Sequence, residues 1–166
     1  MGQGMVADTD YTRRVGGEAI AARLRRLSEA LDGDTARVYA ALGIDFEQRW
    51  FGVLNQIALS GPMTVGELAA VLRITHVSVS QTRRSLETAG ILVSQADPKD
   101  ARRKPLALTP KGRELVERLA PLWAAFAAAS RDLDAEAGDA AALFDRLEDA
   151  LARRSLFDRI MDARAG

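Results

Sequence analysis

The order of short elements between residues 62 and 112 is the feature that most constrains the fold. Thr64 and Glu67 have the spacing of a capping box at the start of a short helix. After a tight turn, Thr75 is placed to cap a second helix, and Gly90 is placed to end it. This order predicts a helix-turn-helix.

Two short strands are predicted to follow, with a basic loop between them. Residues 91–94 and 106–108 are apolar and rich in β-branched or leucine side chains, which favours a hairpin. The loop between them holds four basic and two acidic side chains: Lys99, Arg102, Arg103, Lys104, Asp97 and Asp100. We expect the two acidic side chains to structure the loop and the basic side chains to reach phosphates or a narrow minor groove. A hairpin placed directly after a helix-turn-helix forms a wing.

Helical patterns precede this block. We expect a flexible N-terminal tail at 1–17 and supporting helices at 18–61, where apolar residues recur every three or four positions. Within them we expect a break at residues 32–34, a new segment capped by Thr35, and a further helix capped by Asp45.

Long helices are predicted after the block. Thr109 and Pro110 are suited to open one of them as N-cap and first residue. A last helix is expected from Ala140 through Ile160, and residues 113–166 therefore form a C-terminal helical region. The predicted class is mainly α with a small β-hairpin wing, in which 62–112 is the winged helix-turn-helix.

Composition excludes several kinds of site. The chain has no cysteine, so disulfides, thiolate nucleophiles and cysteine-ligated zinc are excluded. His76 is the single histidine, so a metal site built from several histidines is excluded as well. No phosphate-binding glycine loop is present. We expect no enzyme activity, no cofactor and no metal.

Membrane insertion is not expected either. The longest nearly unbroken apolar run, residues 119–129, is shorter than the roughly 20 residues that a spanning helix needs. The N-terminal residues contain acids and no apolar core of a secretory signal. We therefore expect a cytoplasmic protein.

Charge is unevenly distributed along the chain, although the formal net charge is zero. Residues 62–118 carry 10 basic and 6 acidic side chains, whereas residues 119–166 carry 6 basic and 9 acidic ones. The excess of base lies in the predicted winged helix, where a phosphate backbone would favour it.

The second predicted helix has two chemically different faces. Thr75, Val79, Thr82 and Leu86 fall on one narrow face, which should pack on the preceding helix. The other face is small, polar and nearly free of acid, and its amide, guanidinium and hydroxyl groups match base edges. Its candidate DNA-binding residues are Thr75, His76, Val77, Ser78, Ser80, Gln81 and Arg84. The alternative is a surface helix, rich in serine and threonine, that has no partner.

At these residues the sequence resembles the MarR family of bacterial winged-helix transcription regulators. The resemblance rests on VGELAAVLRITHVSVSQTRRSLETAGILV and DPKDARRKPLALTPKG, and it covers about residues 45–119 closely. Its most specific part is D-P-x-D-x-R followed by L-x-L-T-x-x-G, here Asp97, Pro98, Asp100, Arg102, Leu106, Leu108, Thr109 and Gly112.

The resemblance implies a homodimer that binds double-stranded DNA at a pseudo-palindromic operator, most often as a repressor. The N- and C-terminal helices would form the dimer interface and place two recognition helices one turn of DNA apart. It also implies a small, often aromatic effector. Trp50, Phe51, Trp123 and Phe126 are candidates for an effector pocket, although aromatic residues at helical spacing are more often core or dimer contacts.

Two rival functions stay open at this point. One is a winged helix used only for protein interaction, with DNA binding lost; the acid-poor face of the second helix argues against it. The other is a small enzyme with an unfamiliar site, for which the chain offers few catalytic side chains.

Overall fold

The structure is a computed structural model that describes residues 10–96 and 103–166. Within these ranges the protein is mainly helical with one antiparallel hairpin, so the predicted fold class is confirmed. The helices are α1 Tyr11–Arg14, α2 Ile20–Ala41, α3 Phe51–Ser60, α4 Val65–Leu72, α5 His76–Thr88, α6 Pro110–Glu136, α7 Ala140–Arg153 and α8 Leu156–Ala165. The strands are β1 Leu92–Ser94 and β2 Leu106–Leu108, and short 3-10 turns occupy Gly16–Ala19 and Gln48–Trp50. The chain divides into two compact units, Met1–Arg113 and Glu114–Gly166.

Part of the segment expected to be a flexible tail is helical. Asp10 caps α1 by accepting hydrogen bonds from the backbone N–H groups of Thr12 and Arg13. It also pairs with Arg26 of α2 at 3.0 Å. The hydroxyl of Thr12 and the guanidinium of Arg26 hold the pKa of Asp10 well below its usual range. The segment expected to be a tail, 1–17, thus contains α1 and the start of a 3-10 turn, while residues 1–9 lie outside the described ranges.

The break expected at residues 32–34 does not occur. The helix α2 continues through Gly33, where an added Cβ would have nothing within 4 Å. Thr35 is not an N-cap, because its hydroxyl donates to the carbonyl of Leu31 one turn earlier at 2.8 Å. A single glycine costs a helix only about 1 kcal/mol, which the flanking turns outweigh.

The helix expected to start after Asp45 begins later. Residues 44–47 are not helical, a 3-10 turn follows at Gln48–Trp50, and α3 starts at Phe51. Asp45 therefore caps nothing, and the expectation for it is wrong. The nearby carboxylate of Glu47 is bonded to Arg49 instead, at 2.5 Å.

The predicted caps of the helix-turn-helix are confirmed. The backbone N–H of Thr64 donates to Glu67 Oε2 at 2.7 Å, and the N–H of Glu67 donates to Thr64 Oγ1 at 3.2 Å. Arg73 ends α4 in the left-handed conformation, with φ of 52°. Thr75 caps α5, and Gly90 follows its end with φ of 71°.

The hairpin is tied to the chain segment before α4. Leu92 pairs with Leu108, and Ser94 pairs with Leu106. On the other side of β2, the N–H of Leu106 donates to the carbonyl of Met63 at 2.8 Å, and a second bond of 3.1 Å runs in the reverse direction. Met63 therefore acts as a short third strand beside β2.

The core of the winged helix lies among α3, α4, α5 and the hairpin. Leu54, Leu68, Val79, Leu86 and Leu106 are fully buried there. Burying side chains of this size contributes roughly 1.5–3 kcal/mol each. This core fixes which face of α5 points outward.

The start of α6 is packed tightly on the hairpin. A Cβ added to Gly112 would lie 2.2 Å from the carbonyl oxygen of Ile91, so only glycine fits there. Thr109 caps the helix by accepting from the N–H of Gly112 at 3.0 Å, as predicted, and its hydroxyl lies 2.7 Å from the carbonyl of Gly90. Arg113 donates to the carbonyl of Leu108 at 3.0 Å.

The last predicted helix is two helices. α7 ends at Arg153, and Ser155 caps α8 by accepting from the N–H of Asp158 at 3.1 Å. The expectation of one helix from Ala140 through Ile160 is therefore wrong. The serine hydroxyl competes for backbone N–H groups more effectively at an N-cap than inside a helix.

Candidate nucleic-acid interface

The orientation of α5 agrees with the two faces predicted for it. Val79 and Leu86 are fully buried, and Thr82 is 6% exposed. Thr75, expected on the same face, is exposed because it serves as the N-cap. Since the inner face is held by the core, the outer face has a defined direction.

The outer face of α5 is exposed and carries one guanidinium, one amide and one apolar side chain. Gln81 and Arg84 are exposed, and Val77 is 66% exposed. Ser80 is half-buried beside them. These groups can donate and accept hydrogen bonds at base edges, and Val77 can contact a thymine methyl group.

The first turn of α5 is occupied by its own cap. Thr75 Oγ1 accepts from the N–H of Ser78 at 3.1 Å, and the two hydroxyl oxygens are 2.9 Å apart. His76 packs beside α4, because a Cβ added to Gly66 would lie 3.6 Å from its Cε1. Thr75, His76 and Ser78 are all exposed, but two of the three hold the helix end in shape. The first turn contains no acid, so the positive end of the helix dipole is not neutralised.

A polar network supports α5 from behind. Ser85 Oγ accepts from the indole Nε1 of Trp50 at 3.0 Å and donates to Glu47 Oε1 at 3.2 Å. Arg49, bonded to the same carboxylate, holds the pKa of Glu47 below its ordinary value, and the Ser85 hydroxyl adds to this shift. Ser85 is thus directed toward the segment before α3. Nothing in the sequence pointed to this contact, because its partners lie more than 30 positions away.

The wing is described only at its base. Lys104 is exposed, and Arg103 forms an ion pair with Glu67 of α4, at 2.7 Å between Nη2 and Oε1. The backbone N–H and the hydroxyl of Thr64, followed by Arg103, lower the pKa of Glu67 below its ordinary value. The other predicted wing residues, Lys99, Arg102, Asp97 and Asp100, lie outside the described residues.

Glu87, near the end of α5, contacts β1, the first strand of the hairpin. Its Oε1 accepts from the hydroxyl of Ser94 at 2.5 Å, and its Oε2 lies 3.7 Å from Arg83 Nε. The carboxylate is therefore directed to the side of α5 and not to its outer face. In the described part of the winged helix, the outer face of α5 therefore carries no acidic side chain.

The four aromatic residues predicted as pocket candidates fall in different units. Trp50 is buried, and its ring meets Phe46 edge-on with centroids 5.6 Å apart, so it is a core residue of the first unit. Phe51 is half-buried in the same unit. Trp123 and Phe126 are half-buried on α6 in the second unit. A shared pocket for an aromatic ligand stays a prediction.

The described ranges hold neither a cluster of metal-binding side chains nor a long apolar helix. Among residues 10–96 and 103–166, no three His, Asp or Glu side chains are grouped so that they could hold a metal ion. None of the helices in those ranges combines the length and the apolar character that crossing a bilayer requires.

Known proteins with a similar sequence or fold support this arrangement of helices and hairpin. Residues 42–103 match the model of the MarR family. This segment is therefore similar to the MarR family. The HTH-type transcriptional regulator YkoM of Bacillus subtilis is 32% identical over 79 residues, which span 48% of this chain and 51% of YkoM. The chain thus matches about half the length of that relative.

Solved MarR-type structures share the fold over most of the chain. The MepR–DNA complex of S. aureus matches with a TM-score of 0.67 and 20% identity, covering 80% of this chain and 98% of MepR. BpsR of Bordetella bronchiseptica, whose DNA binding is regulated by 6-hydroxynicotinic acid, matches with a TM-score of 0.60 and 20% identity, covering 79% and 91%. The resemblance inferred from the sequence is confirmed by the family model over residues 42–103, and the chain shares the fold of these solved structures.

Proposed function

We propose that this protein is a sequence-specific DNA-binding regulator that acts in the cytoplasm as a homodimeric repressor. The observation that carries the proposal is the outer face of α5. Val77, Gln81 and Arg84 are exposed there, and the two acids described in the winged helix, Glu67 and Glu87, are directed elsewhere. A face of this kind can enter a major groove about 12 Å wide and read base edges. The solved structure of MepR, which has the same fold, is that of a complex with DNA.

Affinity and specificity would come from different groups. Arg84 and Gln81 are assigned to base edges, since guanidinium and amide groups form paired hydrogen bonds to guanine and adenine. His76, Ser80 and the α5 N-terminus are assigned to phosphates or to base edges nearby. Lys104 is assigned to the phosphate backbone, which gives affinity without sequence preference.

Exposed apolar side chains on the outer helices support the homodimer. On α2, Ile20, Leu24, Leu27 and Leu31 are between 39% and 53% exposed. On α7 and α8, Leu151, Phe157 and Ile160 are at least 50% exposed, and Phe157 and Ile160 lie about one turn apart on α8. A second copy of the chain would remove these side chains from water.

A small aromatic effector is part of the proposal. BpsR shows that a protein of this fold can have its DNA binding regulated by an aromatic acid. Phe51, Trp123 and Phe126, which are half-buried, are the aromatic side chains assigned to this component. Release of selected DNA on adding aromatic acids, measured by fluorescence anisotropy, would test this component separately from DNA binding.

The main test is selection of duplexes from a random-sequence library, followed by affinity measurements on the selected DNA. Arg84→Ala should weaken binding to selected DNA by about 1–3 kcal/mol and relax the preference at one base position. Arg146→Ala, which removes an exposed arginine from α7, is the matched control and should leave sequence preference unchanged.

Two results would count against the proposal. Failure of the wild-type protein to enrich any sequence would favour a winged helix that serves only protein interaction. An Arg84→Ala variant that keeps the wild-type affinity and preference would show that the outer face of α5 does not read DNA.

A further inference from the structure

Both acidic side chains described in the winged helix are attached to the hairpin. Among the described residues of 62–113, the acids are Glu67 on α4 and Glu87 on α5. Glu67 contacts Arg103 and Glu87 contacts Ser94. In a lobe that meets a polyanion, acids should be kept away from the contact surface, and both of these are directed to the wing instead.

The two oxygens of Glu67 perform separate tasks. Oε2 accepts from the N–H of Thr64 at 2.7 Å and closes the capping box of α4. Oε1 accepts from Arg103 Nη2 at 2.7 Å. One carboxylate therefore joins the start of α4 to the chain three residues before β2.

Glu87 makes the equivalent contact on the other strand. Its Oε1 accepts from the hydroxyl of Ser94, the last residue of β1, at 2.5 Å. Ser94 pairs across the hairpin with Leu106, the first residue of β2. Both contacts therefore lie at the end of the hairpin that leads into the loop, and each joins it to a different helix.

We propose that Glu67 and Glu87 are positioning residues that hold the loop end of the hairpin against α4 and α5. Together with Arg103 and Ser94 they set where the loop end of the hairpin lies relative to the outer face of α5. Arg103 then acts on DNA through its pair with Glu67, and not as a phosphate contact of its own. We call these two contacts, Glu67 with Arg103 and Glu87 with Ser94, the anchor. The effect on DNA binding rests on the proposed function, whereas the anchor itself does not.

Glu67→Gln separates the two roles of Arg103, because they predict opposite signs. Glutamine is accepted at this position of a capping box, so the amide oxygen can still receive the N–H of Thr64. The variant loses the charge that holds Arg103. If Arg103 were a phosphate contact, removing a nearby acid would leave it freer and would strengthen binding to any DNA.

If Glu67 positions the wing, the same variant should bind selected DNA more weakly. The expected loss is about twofold to fivefold, the range that an exposed ion pair can supply. Binding to random DNA should change less. Asp34→Asn is the matched control, since it removes one acid from an exposed pair with Arg37 in α2, away from the winged helix.

Two more variants sharpen the assignment. Arg103→Gln combined with Glu67→Gln should weaken binding no more than either change alone, because both break the same contact. Ser94→Ala removes the contact to Glu87 without changing any charge, and it should also weaken binding to selected DNA. Tighter or unchanged binding by Glu67→Gln, or additive losses in the double variant, would overturn the positioning role.

Hydrogen–deuterium exchange on the DNA-free protein tests the anchor independently. Glu67→Gln and Ser94→Ala should each raise the exchange of hairpin amides in residues 91–95 and 106–108 while leaving those of α2 unchanged. Unchanged hairpin exchange in both variants would overturn the anchor. If the wild type binds no DNA but the exchange rises, the proposed function fails and the anchor stands.

Discussion

The winged helix and the C-terminal helices differ in how completely they bury their apolar side chains. In the winged helix, leucines and valines from α3, α4, α5 and β2 are fully buried against one another. Within residues 114–166, all of which the structure describes, Leu119 is the one buried residue. Phe157 on α8, which is 69% exposed, is an example of a large apolar side chain that remains in contact with water in this region.

This difference agrees with the proposed homodimer. The winged helix has its own core, and its outer face is defined by that core. α7 and α8 have helical caps and periodic apolar faces but nothing within their own unit to cover them. Their sequence is consistent with a surface that becomes interior only on assembly.

The largest effect is expected at this uncovered surface. Phe157→Glu should shift the protein from dimer to monomer, because a two-fold interface loses the same side chain twice, at a cost of about 3–6 kcal/mol. Analytical ultracentrifugation over a range of protein concentrations measures the shift. Val71→Glu is the control, since Val71 is 54% exposed on α4 of the winged helix and should not affect assembly. A wild-type protein that is monomeric at every concentration would remove the distinction between the two regions.

A smaller effect is expected from two glycines that occupy opposite environments. Gly112→Ala should destabilise the winged helix by about 1–3 kcal/mol, because the new methyl group would meet the carbonyl of Ile91. Gly33→Ala in α2 should instead stabilise the protein by about 0.4–1 kcal/mol, because the site is open and helical. Urea unfolding of both variants measures the two free energies, and effects of the same sign would contradict this contrast.

The smallest effect is the pH dependence of the cap on α4. The pKa of Glu67 is lowered in the folded protein, so its stabilising contribution is complete above its ordinary value of 4.5. The contribution is lost as the pH falls below 4.5 and passes through the lowered value. The difference in unfolding free energy between wild type and Glu67→Gln should therefore shrink on acidification, by a small amount because solvent screens an exposed carboxylate. A difference that stays constant between pH 6 and the acid limit of folding would show that Glu67 is not held by charge.

Local chemistry explains most of what could be predicted from sequence. The capping box at Thr64, the N-caps at Thr75 and Thr109, and the helix end at Gly90 all depend on residues within a few positions of one another. The buried face of α5 followed from the spacing of Val79 and Leu86. These signals are short-range, and the structure confirms each of them.

Contacts between distant residues explain what was missed. Ser85 has the polarity of an exposed residue, yet Trp50 and Glu47 engage its hydroxyl from another element. Arg103 was assigned to DNA by its charge, and its neighbour Glu67 lies on α4. Gly33 is a miss of a different, local kind. It is typical of a helix break, but the helical turns on either side of it continue α2 through this position.

The bridge between Met63 and Leu106 has a consequence for how the protein behaves in a crowded solution. β2 has β1 on one side, while on its other side Met63 engages both backbone groups of Leu106 and Arg113 engages the carbonyl of Leu108. The strand most rich in leucine therefore presents little free edge to which another chain could add. The edge that is left belongs to β1, which is three residues long. So short an edge is a poor template for aggregation, and the hairpin can carry apolar strands at the protein surface without recruiting other molecules.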